Sequence, residues 1–292
     1  MKNLMQINYW TIGGFDAKKK PEQALAEAKA LGFEGMELTF EAGEFAPGIS
    51  RERVLEIKKA AAGMGMKVAT MASGAYWGNS LSSPDATVRA RAVGFTKEYL
   101  QVANWMGVRT VLVIPGAVAV PWDAGKPVVP YATAWKLATD SVKKLLPVAK
   151  KLGVVMAFEN VWNWFLADPV AMRAFIDQFK SPFAGSYLDV GNMAINGYAE
   201  HWIEMLGKRI KAVHFKNFTS QDCGGGLHGF GDDLASGAVN WPAVVSALAK
   251  TKYSGPVTAE MIPFSRLPDL VLPDMALAGD TAVKMKAIMG KA

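Results

Sequence analysis

Short uninterrupted apolar runs alternate along this chain with longer segments in which apolar positions recur every three or four residues. The short runs are the pattern of strands buried on both faces, and the longer ones are the pattern of amphipathic helices. Strands are predicted over residues 4–10, 33–38, 67–72, 109–114, 154–159, 184–189, 210–214 and 256–260. Helices are predicted over residues 21–31, 50–64, 84–106, 131–152, 169–179, 198–206, 241–250 and 275–289. Local signals agree with these bounds: Pro21 suits a helix start, Ser50 suits a cap, and Gly63 with Gly65 punctuates the end of the second helix. Residues 117–130, with three prolines and Trp122, read as a loop over one end of the fold. Eight strand–helix pairs without a composition break or a short repeat predict the α/β class and one domain over residues 1–292, a single (β/α)8 TIM barrel. An open doubly wound sheet would carry a Gly-rich nucleotide turn early, and none follows the first strand.

The last four runs each stop at a residue with chemistry: Glu159, Asp189, His214 and Glu260. In a parallel barrel the carboxyl ends of the strands share one mouth, so these sequence-distant groups are expected to meet. Three crowded carboxylates repel one another unless a cation neutralises them, and three oxygen donors with one nitrogen donor suit a divalent metal ion. Taken singly, each is an ordinary charged residue where a strand meets a loop; their register on successive strands is what favours the metal. The donor set permits Mn²⁺, Mg²⁺, Co²⁺ or Zn²⁺, with Mn²⁺ preferred. Glu37, near the end of the second strand, either touches substrate or is a rim charge. Trp10, Tyr76, Trp77, Trp122, Trp162 and Trp164 fall at strand ends or mouth-side loops, where aromatic faces suit a sugar ring or simply pack loops together.

Composition narrows the class. At 292 residues the chain matches the roughly 250 residues of a barrel plus modest insertions. Hydrophobic residues make up 51% and charged residues 20%, with no apolar run near the ~20 residues of a membrane span, so no membrane partner is expected. The net charge of +6 is scattered through helices, as in Lys58-Lys59, Lys143-Lys144 and Lys150-Lys151. That spacing marks a solvated outer face rather than a nucleic-acid surface, although it leaves a mild attraction for anionic substrates. One cysteine, Cys223, excludes an internal disulfide, and the amino terminus enters a predicted strand with no room for a signal peptide. A cytoplasmic protein is expected. Proline-rich segments and aromatics would permit a homodimer or homotetramer.

Four motifs, Phe158-Glu-Asn-Val-Trp-Asn163, Tyr187-Leu-Asp-Val-Gly-Asn192, Val213-His-Phe-Lys-Asn217 and Gly255-Pro-Val-Thr-Ala-Glu260, resemble in order and spacing the signature of the xylose-isomerase-like barrels. Within these the chain looks like the sugar-phosphate isomerase/epimerase group, which includes ketose 3-epimerases. The resemblance is specific from Val154 to Met261 and architectural before it. It implies that Glu159, Asp189, His214 and Glu260 bind one divalent cation, that Glu159 and Glu260 double as acid/base groups, and that Asp189 and His214 serve mainly as ligands. The substrate it implies is a small sugar or sugar phosphate, converted through an enediolate. Candidate substrate contacts are Asn163, Asn192, Lys216, His228, Glu37 and Trp10.

The chain departs from the family at two points. Many relatives have His where Asn192 stands and Asp where Asn217 stands, and an amide hydrogen-bonds a hydroxyl but exchanges no proton near neutral pH. Lys216 pairs either with an anionic substrate group or with Asp222 or another rim carboxylate. The loop Cys223-Gly-Gly-Gly-Leu-His-Gly-Phe-Gly231 follows strand seven, where barrels often bind phosphate; its glycines could offer N–H groups and His228 could reach substrate, or the loop could be a lid without an anion role. Within enzymes the alternative is a keto-sugar or cyclitol dehydratase or lyase, and outside them a sugar-binding barrel without metal. DNA-repair endonuclease chemistry, which draws on a richer set of histidines, is disfavoured by a total of three.

Overall fold

Strands that read as unbroken apolar runs do so because both of their faces are covered, one by the barrel interior and one by helices. The structure, a computed structural model, describes residues 1–123, 125–220 and 226–291. Strands β1 (Met5–Asn8), β2 (Gly35–Thr39), β3 (Thr70–Ala72), β4 (Thr110–Val113), β5 (Val155–Glu159), β6 (Ala184–Asp189), β7 (Ile210–Phe215) and β8 (Val257–Ala259) pair in parallel, each with the next. Strand β8 pairs back onto β1 and closes the barrel. The helices α1 (Tyr9–Gly13), α2 (Pro21–Ala30), α3 (Arg51–Gly63), α4 (Ala86–Met106), α5 (Tyr131–Leu152), α6 (Pro169–Asp177), α7 (Ala199–Leu206), α8 (Trp241–Lys250) and α9 (Met275–Met289) fill the connections. This is the single (β/α)8 TIM barrel that the alternation predicts. Among the described residues no helix is long and apolar enough to cross a membrane.

Register places the chemistry. Asp189 on β6 lies level with His214 on β7, and His214 lies level with Thr258 on β8, two residues before Glu260. Across the barrel, Gln6 on β1 pairs in register with Thr258, and its amide donates to Thr70 Oγ1 at 3.0 Å and Thr258 Oγ1 at 3.1 Å and accepts from the Ala69 N–H at 3.0 Å. Behind β5, the ring of Phe158 meets Phe175 of α6 at 5.3 Å, and Phe175 meets Trp135 of α5 at 5.2 Å. These edge-to-face contacts fix the strand from which Glu159 projects.

The first and third strands fall furthest short of the apolar pattern. The first stops at Asn8, whose side chain accepts the Trp10 N–H at 2.9 Å and starts α1, so Trp10 sits on a short helix at the mouth rather than in a strand. The third begins only at Thr70, with Lys67 contributing an isolated bridge to Gly35.

Candidate active site

The four groups expected to meet do so. One ligand atom from each of Glu159, Asp189, His214 and Glu260 lies within 4.8 Å of all the others, and all four residues are buried. The cluster is built from the backbone upward. Asp189 Oδ1 accepts the N–H groups of Gly191 and Asn192, both at 2.8 Å, which turns Oδ2 toward the other ligands. The Asn160 amide brackets the Asp189 backbone from the neighbouring strand, donating to its carbonyl at 2.8 Å and accepting from its N–H at 2.9 Å. Asp189 Oδ2 and His214 Nδ1 are nevertheless buried without a hydrogen bond, although Oδ2 faces the Lys216 ammonium at 3.2 Å. Nδ1 faces Glu159 at 3.5 Å, Glu260 at 3.7 Å and Asp189 at 3.8 Å. Donors bound about 2.0–2.2 Å from one ion stand roughly 3–3.5 Å from each other, so these slightly wider separations and the unpartnered His214 Nδ1 suit a group that would draw in around a divalent cation.

Glu37 is the main correction to the sequence reading. Neither a rim charge nor a wall of the substrate cavity, it is fully buried beneath the cluster. Its carboxylate accepts from Asn8 Nδ2 at 2.8 Å and from the Tyr187 hydroxyl, and meets His214 Nε2 at 2.7 Å. An ion taking Nδ1 in place of a proton would leave Nε2–H donating to Glu37, the arrangement by which a carboxylate orients a metal-binding histidine. Burial alone would push His214 down, but Glu37 first and then Glu260 hold its pKa well above the usual imidazole value. Burial drives Glu159 up to about 7, with repulsion from Glu260 and Asp189 adding to the shift and the His214 contact opposing it. A cation among these groups relieves that repulsion.

Of the partners open to Lys216, the structure shows carboxylates at the base of the mouth cavity. The Lys216 ammonium pairs with Glu260 and with Asp189 at 3.2 Å, and lies 4.9 Å over the ring of Phe230. Asp222, named as its other possible partner, and residues 223–225 of the glycine loop lie outside the described residues. Buried Asn163 bonds the loops instead of facing a cavity: its amide donates to the Gly116 carbonyl at 2.9 Å and accepts from the Phe165 N–H at 3.0 Å. His228 is exposed in a short 3-10 turn between Leu227 and Phe230, which line the mouth. Asn192 donates to the Asn160 carbonyl at 3.1 Å and approaches Glu159 at 3.5 Å, with its side chain on the cavity wall.

That cavity, of about 360 Å³, stands directly over the cluster. Trp10, Trp77, Trp122 and Trp162 form much of its wall, as the aromatic pattern suggests. The ionisable lining residue that the sequence reading lacks is Glu41, just beyond β2, which accepts Trp10 Nε1–H at 2.7 Å and the Gly74 N–H at 2.5 Å. Its sequence signal is weak, since the three residues Leu38-Thr39-Phe40 between Glu37 and Glu41 include a threonine and form no apolar run.

The profile of the xylose isomerase-like TIM barrel family matches residues 25–279. The chain belongs to the xylose isomerase-like TIM barrel family. Among curated protein sequences none matches this chain. Solved structures similar to this family member include D-psicose 3-epimerase with D-tagatose from Clostridium cellulolyticum H10, at 19% identity and a TM-score of 0.78, over 98% of this chain and 99% of that one. An L-ribulose 3-epimerase matches at 19% identity and a TM-score of 0.77, covering 99% and 95% of the two chains. The 3-keto-D-glucoside 4-epimerase of E. coli matches at 15% identity and a TM-score of 0.72, covering 97% and 98%. At these identities the likeness is one of fold.

Proposed function

We propose that this family member is a metal-dependent sugar epimerase or isomerase that moves a proton beside a carbonyl through an enediolate. One observation carries the reading: of the four clustered groups, Glu159 and Glu260 line the substrate cavity, whereas Asp189 and His214 lie below its wall. The two glutamates are therefore the members of the set that can reach a substrate carbon. Glu159 and Glu260 each remove or return the carbon-bound proton through a carboxylate oxygen, and acting from two sides of the carbonyl plane they invert a stereocentre. A divalent cation held by Glu159, Asp189, His214 and Glu260 would supply Lewis-acid stabilisation of the negative charge, and Mn²⁺ suits this mixed oxygen and nitrogen set, as Mg²⁺, Co²⁺ or Zn²⁺ would.

Asn192 hydrogen-bonds a substrate hydroxyl, and the indoles of Trp10 and Trp162 cover the apolar face of the ring or chain. The aromatic wall also excludes water from the reacting carbon. Lys216 already answers Asp189 and Glu260, and no other cation lines the cavity among the described residues, which favours an unphosphorylated sugar over a sugar phosphate. The names of the similar structures, two ketose 3-epimerases and a keto-glucoside 4-epimerase, support the same class. Glu159→Gln and Glu260→Gln are each expected to lower solvent-deuterium exchange at the acidic C–H of a ketose, followed by NMR with Mn²⁺ present, by at least about 100-fold. Wild-type exchange in both variants would sink the acid/base assignment.

A further inference from the structure

Beside the candidate active site lies a second cavity of about 490 Å³. The two border each other along Val161, Trp162 and Asn192, which line both. We propose that the second cavity is a subsite for another sugar ring, so that the enzyme acts on a glycoside, with the reacting sugar over the metal ligands and the attached glycosyl unit beside Trp164 and Trp202. This rests on the epimerase reading above and narrows its substrate.

Three features of the walls point to a neutral glycosyl unit. Different parts of the fold converge on the cavity with the same chemistry: Trp162 and Trp164 come from the loop after β5, Asn192 and Asn196 from the loop after β6, and Trp202 from α7. Exposed Trp164 and half-buried Trp162, backed by buried Trp202 and set beside the amides, suit a pyranose, which presents an apolar C–H face and a rim of hydroxyls. No charged side chain lines the cavity among the described residues, so its walls suit an uncharged ring and offer no side-chain counter-charge to a phosphate. Its volume falls in the range that holds a complete small-molecule ligand, more than a hydroxymethyl group requires.

The backbone at the rim gives an independent sign. Trp164 has φ of +60° and Leu166 has φ of +55°, in the left-handed region that bulky L side chains avoid. Leu166 answers this by burying its side chain, but Trp164 remains 56% exposed while lining the cavity. A strained backbone that holds a large aromatic out at a cavity rim is a feature associated with ligand contact rather than with packing.

The test is calorimetric binding to the Mn²⁺-loaded full chain, comparing D-fructose with the ketose disaccharides lactulose, maltulose and isomaltulose. At least one disaccharide is expected to bind 10-fold or more tightly than D-fructose. Ala167→Trp, which fills the cavity from its loop wall, and Trp164→Ala, which removes the rim platform, should erase that advantage and leave D-fructose binding within 2-fold of wild type. Overturning results are a panel in which no disaccharide outbinds D-fructose, or variants that keep the advantage or weaken both ligands equally. Deuterium exchange on the same samples separates the two readings. Selective disaccharide binding without exchange removes the epimerase reading and keeps the subsite, whereas exchange without selective binding does the reverse.

Discussion

Glu37 holds His214 at Nε2, 2.7 Å away, and thereby decides which imidazole nitrogen is available to an ion. Glu37→Gln keeps the volume but replaces one acceptor oxygen with a donor, and is expected to weaken Mn²⁺ binding by about 10–100-fold in calorimetric titration. Glu41 carries a different consequence, in pH. Burial raises its carboxyl above the ordinary 4.5, so the folded protein keeps this proton to a higher pH than the unfolded chain does. From about 4.5 upward through the raised value the native state binds more protons, and the contribution of Glu41 to stability declines as pH rises. Urea denaturation at pH 4.5 and pH 7 should therefore show the stability difference between wild type and Glu41→Gln moving toward the variant at the higher pH; an unchanged difference contradicts this. Glu159, Asp189, His214 and Glu260 were legible as a set because each ends an apolar run. The depth of Glu37 was not, since every residue of β2 is buried and the run holds no alternation to show which face looks inward.

At the scale of elements, the segment between β5 and α6 carries walls of both cavities and is tied down through two asparagines, Asn160 and Asn163. Besides its amide contacts, the Asn163 carbonyl accepts the N–H groups of Val118 at 3.1 Å and Ala119 at 3.2 Å, joining this segment to the one after β4. Asn163→Ala strands the Gly116 carbonyl and the Phe165 N–H, and is expected to cost about 1–3 kcal/mol, read as a lower urea midpoint at unchanged slope. Sequence suggested a substrate contact for Asn163 because an amide suits a sugar hydroxyl as well as a backbone group, and only the fold tells these apart. Helix bounds were more legible where a side chain punctuates locally, as when Ser50 accepts the Arg53 N–H at 3.1 Å. The short α1 escaped notice because Tyr9, Trp10 and Ile12 continue the apolar character of β1, and Asn8 marks the change by itself.

For the molecule as a whole, barrel closure followed from counting strand–helix pairs, while the pairing of two cavities did not, because their walls join loops distant in sequence. The metal reading makes a global prediction. An ion that binds the native state alone stabilises it by about 2.7 kcal/mol at 100 times its Kd, which for a chain of 292 residues corresponds to a rise of about 4 °C in Tm. Thermal denaturation with and without saturating Mn²⁺ measures this, and an unmoved Tm favours the metal-free sugar-binding alternative.

The bracket that Asn160 places on Asp189, together with the turn onto Gly191 and Asn192, ties this ligand to the scaffold through four hydrogen bonds that involve no ion. Its pose is therefore inherited from the polypeptide. A preparation stripped by chelation should keep its far-UV spectrum and regain full competence within the time of mixing once the salt is restored, with no slow recovery phase.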